Sequence, residues 1–394
     1  MIDIRIGGAK VSKMIYFDNA ATTFPKPDIV YENMDIFYRT NGVNVGRGQY
    51  DLASKASNLV QNTRDLICQL FNCSFDQRVV FTSTATEAIN IVLQGMNWQG
   101  NENVYITHFE HNGVLRCLNM LKKRYDLNIH YIDLDPRSLE YDLDKIQIQF
   151  QENKPNVVIA NHASNVCGLI TPVEEISRMA KDYNAEVVID CCQTAGLLDI
   201  DLKLIEADYL IFSGHKTLYG PFGIAGFIIK ENSKLKPLIY GGTGIDSGNL
   251  ELPSTIPDKF EVGSQNIYAI SGLNTSIKWI LDNGVENIQE KERNLTKSLI
   301  AVLQKFDTKI YLSKNIDNHI GVISCNFKGI PADRIGDLLN QHNIAVRTGL
   351  HCAPDAHRLL GTYPAGTVRF SLGYFNNISD IIALEEVLES LLLY

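Results

Sequence analysis

Lys216 lies in the stretch IFSGHKTLYGPFGIAG, residues 211–226, which carries four glycines and places the lysine directly after His215. An apolar run, Tyr209–Phe212, ends at Ser213 just before it. Most lysines are solvated surface groups. A lysine at the mouth of a buried strand, followed by a glycine-rich turn, has another use: its amine can hold a carbonyl as a Schiff base. An electron-sink cofactor held that way needs three further kinds of group. Asp190 follows the apolar run Val187–Ile189 and can keep a pyridine nitrogen protonated, although an Asp there is more often a cap or turn residue. Thr84–Thr86 open a helical pattern whose backbone N–H groups suit a phosphate, with Ser213 and His215 as added donors. His111, in FEHNG, can stack on a flat ring, although a lone loop histidine is usually only polar surface.

These residues need a scaffold that gathers them. A unit recurs along the chain: a short β-branched run, then polar or glycine residues, then a helical pattern. Val79–Phe81, Val104–Thr107, Val157–Ala160 and Val187–Ile189 are the runs. Thr84 and Glu87 have capping-box spacing at the start of one helix, and Ile89, Val92 and Leu93 form its apolar face. Apolar strands alternating with helices predict a mostly parallel sheet covered on both faces. Ligands in such sheets bind beyond the carboxyl ends of the strands, where Thr86, His111, Asn165, Asp190, Gln193 and Lys216 fall. The segment 240–265 is rich in Gly, Ser and Pro and reads as a long functional loop. From about Asn266 the pattern becomes that of a smaller α+β unit. The expected division is 14–265 and 266–394, with the N-terminal segment packing on the second unit. Residues 1–13 read as an extension of little consequence.

The chain has 394 residues, 45% hydrophobic and 21% charged, the composition of a globular protein with a large core. A formal charge of −9 argues against nucleic-acid backbone binding. No apolar run reaches membrane-spanning length, and the first residues lack the apolar core of a secretory signal, so a cytoplasmic protein is expected. The eight cysteines are scattered, as reduced thiols would be, and no paired CxxC units mark a metal site. Among them Cys352 stands out, because it sits beside His351 and near Arg347; positive neighbours favour the reactive thiolate.

Taken in order, YFDNAATTFPKP, TSTATEAIN, FEHN, HASNVCG, DCCQTAG, SGHKTLYGPFGIAG, RTGLHCAP and GTVRFSLGYFN resemble the cysteine desulfurase and selenocysteine lyase family, class V aminotransferase-like enzymes of pyridoxal-phosphate fold type I. The resemblance runs from about Tyr16 to Asn376, and its lysine and cysteine motifs together are highly specific. It implies a large domain with a mostly parallel seven-stranded sheet plus a smaller α+β C-terminal domain. It implies pyridoxal 5′-phosphate on Lys216, which would also shuttle the proton at the substrate Cα. Asp190 would pair with the pyridinium, Gln193 and Asn165 would lie at the phenolic oxygen, and His111 would stack on the ring. Ala85, Thr86, Ser213 and His215 would hold the phosphate, and Ser264, where many relatives have Thr, would reach the phosphate of a partner subunit in a homodimer. Arg369 would grip the substrate carboxylate as a bidentate fork, with Asn19, Ala20, Asn165 and Arg347 around the substrate. The implied reaction takes sulfur from L-cysteine, leaves L-alanine and a persulfide on Cys352, and hands the sulfur to an acceptor protein. The RTGLHCAP form resembles the family group with a shorter, less mobile cysteine loop.

Three other readings compete. L-Selenocysteine or another β-lyase substrate fits the same fold, and so does transamination, although that reaction needs no thiol. A catalytically idle sulfur-delivery scaffold would be favoured by loss of Lys216, Arg369 or Cys352, and all three are present. A nucleotide-binding Rossmann protein would want GxGxxG after its first strand, which FTSTATEA is not.

Overall fold

The computed structural model describes residues 5–6, 9–10, 14–46, 48–245 and 248–392. Of the N-terminal extension only a two-residue antiparallel pairing, Arg5–Ile6 with Ala9–Lys10, is described; the expectation for the rest of it lies outside the described residues.

Seven strands form the main sheet: β1 (Gln77–Thr82), β2 (Asn103–Ile106), β3 (Asn128–Tyr131), β4 (Val157–Asn161), β5 (Glu186–Asp190), β6 (Tyr209–Ser213) and β7 (Ala225–Lys230). Their order is β1-β7-β6-β5-β4-β2-β3. All neighbours run parallel except β7, which is antiparallel to both β6 and β1. Successive strand residues alternate between two cores, as a pleat covered on both faces requires. Val79, Phe81, Val187, Ile189, Leu210 and Phe212 face one core, together with helices Asp51–Leu70, Val173–Lys181 and Ile267–Asn283. Val80, Val188, Tyr209 and Ile211 face the other, beneath helices Ala85–Gly95 and Asn112–Tyr125. The apolar runs predicted as strands are strands; β3 and β7 are additions, the first a half-polar edge strand, NIHY, and the second, AGFIIK, hidden behind the glycine turn.

A second, four-stranded antiparallel sheet is built from β8 (Thr308–Ile310), β9 (Val322–Phe327), β10 (Arg347–Gly349) and β11 (Thr367–Ser371), in the order β8-β9-β11-β10. Helices Val285–Leu303, Ala332–Gln341 and Ile378–Leu392 cover its core around Ile323, Phe370 and Leu384. The N-terminal strand Ile15–Tyr16 pairs in parallel with Ile344–Ala345. From there the segment crosses to the main sheet, where the Thr22 hydroxyl donates to the His215 carbonyl at 2.8 Å. A strap of about a dozen residues thus joins the two sheets at the point where their functional ends meet.

Candidate active site

A cavity of about 270 Å³ opens at the carboxyl ends of β2, β4, β5 and β6. Lys216 reaches it because Gly214 turns the chain after β6; a Cβ on Gly214 would lie 2.7 Å from the Ile224 carbonyl oxygen. Both carbonyls flanking the lysine Cα are held. The His215 carbonyl takes the Thr22 hydroxyl, and the Lys216 carbonyl takes the Thr23 hydroxyl at 2.9 Å and the Tyr219 N–H at 2.8 Å. Asp190, buried at the end of β5, accepts from the Cys192 N–H through Oδ1 at 2.9 Å and turns the same carboxylate to the cavity.

Thr84 caps the helix Ala85–Gly95 by accepting from the Glu87 N–H at 3.1 Å. The return leg of the expected box shifts by one residue: Glu87 accepts from Ser83 N–H, not from the cap itself. The first turn therefore presents Ala85 and Thr86 to the cavity beside Ser213 and His215. His215 stacks on Phe222 at 4.5 Å, and its buried Nδ1 has no partner among the described residues. Burial, with Lys216 and Lys26 nearby, pushes its imidazole down to about 4, so it meets a ligand as a neutral donor or acceptor. His111 also lines the cavity as a neutral ring, driven to about 4 by burial and by Lys216. Its Nδ1 accepts from the Gly113 N–H at 3.0 Å, which leaves the proton on Nε2.

Asn165 and Gln193 complete the lining. Gln193 Nε2 donates to the Ala20 carbonyl at 3.0 Å, and Asn165 Nδ2 donates to the His351 carbonyl at 2.7 Å. The cysteine loop is held from a second side, because the Asn112 N–H donates to the Cys352 carbonyl at 2.7 Å. His351 and Cys352 both adopt left-handed backbone, φ +46° and +58°, at a cost of about 1–2 kcal/mol per residue. Gly366 lets the loop close: a Cβ there would lie 2.2 Å from the Gly349 carbonyl oxygen. Cys352 is itself partly exposed.

The electropositive setting expected for Cys352 needs one correction. Ser324 donates to Val166 C=O and Thr367 donates to Ser324, so His351 Nε2 must donate to Thr367 Oγ1. His351 is buried and neutral, its imidazole pushed to about 2 by burial and by Arg369, His357 and Arg347. The positive charge near the cysteine comes from arginines alone. Arg347 and Arg369 stand opposite each other on β10 and β11.

Arg369 is already engaged in a way the sequence did not suggest. Its Nη2 pairs with Asp18 at 2.6 Å and its Nη1 donates to the Asn165 carbonyl at 2.8 Å, while Nε is buried without a partner among the described residues. Two arginines and one aspartate leave a net positive charge at the lip of the cavity, suited to an anionic group. With the Arg369 side chain only 2% exposed, removing its partner strands a buried charge. Asp18→Ala is expected to cost about 3 kcal/mol in denaturant unfolding, whereas Asp35→Ala, which breaks the exposed pair with Arg39, is expected to cost less than about 0.5 kcal/mol.

Asn19 makes no such opening. Its side chain donates to the Ser371 carbonyl and to Asn376 Oδ1, tying the strap to the second unit, and accepts from the Phe24 N–H within the strap. Ala20 is buried beside it, and Ser264 is exposed on the long loop away from this cavity. The sequence reading also passed over Glu110, which is fully buried behind Asp190. Glu110 Oε1 accepts from the Thr107 hydroxyl at 2.7 Å and the Asn161 N–H at 2.8 Å, while Oε2 is unpartnered among the described residues. Burial raises this carboxyl from 4.5 to about 8. The folded chain therefore keeps a proton there that the unfolded chain releases above pH 4.5, so this group's contribution to stability falls as pH rises from 4.5 to about 8. Glu110→Gln removes that dependence. The stability of the variant relative to the native chain is expected to rise across this range by on the order of 3 kcal/mol, at about 1.4 kcal/mol per pH unit, as read from urea unfolding at stepped pH.

The donor set fits a phosphorylated pyridine aldehyde: a lysine amine, a buried carboxylate, a neutral ring and a capped helix start converge on one cavity. Relatives agree with this geometry. The family model for class V aminotransferases matches residues 15–384. A probable cysteine desulfurase of Pyrococcus abyssi is 32% identical over 99% of this chain and 97% of its own length. A second, from Methanothermobacter thermautotrophicus, is 32% identical over 96% of this chain and 94% of its own. Among solved structures, the apo cysteine desulfurase of Thermococcus onnurineus superposes with a TM-score of 0.90 at 31% identity, covering 96% of this chain and 95% of that one. By sequence, fold and site, this chain belongs to the class V aminotransferases, in the cysteine desulfurase family.

Proposed function

We propose that this protein is a pyridoxal 5′-phosphate-dependent cysteine desulfurase that converts L-cysteine to L-alanine and carries the sulfur as a persulfide on Cys352. The observation that carries the reading is the convergence of Lys216, Asp190, His111 and the helix start at Ala85–Thr86 on one cavity, with the Cys352 loop bonded to Asn165 of that cavity's lining and to Asn112 beside it. When bound, the cofactor supplies an electron sink for the substrate Cα.

The chain's own groups do the rest. Lys216 would hold the cofactor's aldehyde carbon, and its amine would move the proton at the substrate Cα. Asp190 would hold the proton on the cofactor's ring nitrogen, His111 would cover the ring, and Gln193 and Asn165 would meet its phenolic oxygen. Thr86, Ser213, His215 and the Ala85 backbone hold the phosphate. Arg369 and Arg347 orient the substrate carboxylate, with Asp18 fixing the angle of Arg369. The Cys352 thiolate attacks the substrate sulfur; the S–S bond forms as the C–S bond breaks, a proton returns to the carbon, and alanine leaves. An acceptor protein then takes the terminal sulfur.

Alanine formation from L-cysteine by the loaded chain, with L-selenocysteine in parallel, tests the reading. Turnover of selenocysteine alone, undiminished in Cys352→Ala, would make the protein a selenocysteine lyase. A homodimer completes the proposal, with Ser264 reaching the partner's phosphate. Helix Asp28–Asn41 exposes Ile29, Tyr31, Ile36 and Tyr38 beside exposed Tyr268, an apolar face of the kind that oligomers cover. Light scattering is expected to give twice the chain mass, and Ile36→Glu combined with Tyr38→Glu to give the single mass. Among the described residues no helix is long and apolar enough to cross a membrane.

A further inference from the structure

Lys26 is a buried lysine, 7% exposed, with no carboxylate paired to it among the described residues. Lysines are seldom buried without a partner of opposite charge, because the ammonium loses its hydration. Here the compensation comes from neutral oxygens. Lys26 Nζ donates to the His215 carbonyl at 2.6 Å and to the Thr23 hydroxyl at 2.7 Å, with Thr22 Oγ1 at 3.5 Å. The same His215 carbonyl already takes the Thr22 hydroxyl and the Thr23 N–H. Because Thr23 Oγ1 accepts from the ammonium, its own hydrogen is directed to the Lys216 carbonyl, 2.9 Å away. The amine therefore reaches both carbonyls that flank the Lys216 Cα, one directly and one through Thr23. Burial lowers its affinity for a proton to about 7, so the position is maintained against a desolvation cost that methionine would not incur. The Lys26 backbone is fixed in turn, its N–H donating to the Tyr31 hydroxyl at 3.0 Å.

We propose that Lys26 is a positioning residue for Lys216: it fixes the peptide that carries the catalytic amine. The inference rests on the reading of Lys216 as the residue that holds the aldehyde. The groups facing the Lys216 amine are Asp190 and Cys192 at the end of β5, His111 at the head of helix Asn112–Tyr125, and its neighbour His215. Lys26 reaches the His215–Lys216 peptide from the strap, through the His215 carbonyl and Thr23.

The test compares Lys26→Met and Lys26→Arg with the native chain, each loaded with pyridoxal 5′-phosphate. Since Lys26 touches no substrate, Lys26→Met is expected to lower kcat for alanine formation about 10- to 30-fold while KM for L-cysteine moves less than about 3-fold. Without the amine that holds the His215 and Lys216 carbonyls, the Lys216 nitrogen loses its set position, and the pH midpoint of the visible absorption of the loaded chain is expected to move by about 0.5 unit or more. Lys26→Arg keeps charge and donors, and is expected to restore kcat to within about 5-fold and to return the midpoint. A Lys26→Met chain with native kcat and midpoint overturns the inference, and so does a loss of kcat that arginine leaves unrepaired. If the methionine variant lacks a cooperative unfolding transition, Thr23→Val cuts the relay to the Lys216 carbonyl alone; an unchanged kcat there also overturns it. A native chain that binds no pyridoxal phosphate through Lys216 would instead defeat the reading of the site itself.

Discussion

Cys352→Ser is expected to lower alanine release from L-cysteine by on the order of 10³-fold or more, since an alcohol offers almost no anion at neutral pH and is a far weaker nucleophile toward sulfur. The loss belongs to kcat. Cys352 does not line the cavity in which the cofactor residues converge, so the serine variant is expected to bind pyridoxal phosphate with the native absorption band. Serine is nearly isosteric, and the left-handed backbone at position 352 with its carbonyl bonded to Asn112 is available to it as readily as to cysteine. The assay is alanine formed per minute, alongside mass spectrometry of the native chain after brief exposure to L-cysteine, where one added sulfur on the peptide containing Cys352 is expected. Alanine release by the serine variant at more than a tenth of the native rate would falsify the persulfide route.

Lys216→Ala is expected to be at least as severe. It removes both the covalent hold on the aldehyde and the base that moves the Cα proton; a positioned general base alone contributes about 10²–10⁴-fold. Borohydride reduction followed by digestion is expected to tag the peptide spanning residues 213–226 in the native chain and to leave it untagged in the variant. Added methylamine, a small free base that fits the space vacated by the side chain, is expected to restore part of the rate. A tag that persists elsewhere in the alanine variant, Lys26 included, would show that the aldehyde has another resting place.

Much of this was legible in the sequence because strand and helix patterns here are strong. The β-branched runs at 79–81, 157–160 and 187–189 became strands because both faces of the main sheet are covered, which makes a continuous apolar run the signature. The residues placed at the ends of those runs gathered in one cavity because parallel strands end on the same side. What the sequence hid depends on the third dimension. Lys26 looks like any surface lysine until the strap folds it against the His215 carbonyl. Asp18 sits in a polar run where its neighbour Asn19 drew the functional reading, yet Asp18 meets Arg369 across 351 positions while Asn19 spends its amide on Ser371 and Asn376. His351 reads as a cation beside the cysteine, but burial strips its charge. Burial and long-range pairing are sums over contacts that no local window contains.

The hold on the cysteine loop has a consequence for sulfur traffic. With the His351 and Cys352 carbonyls tied to Asn165 and Asn112, the proposed sulfur carrier stands on a loop held at two successive residues, not on a swinging arm. Delivery then becomes a matter of the visitor's shape. An acceptor must bring its own thiol to a fixed, half-recessed berth, on an extended finger of chain narrow enough to enter, and a globular acceptor with a flush surface cysteine would be left out of reach.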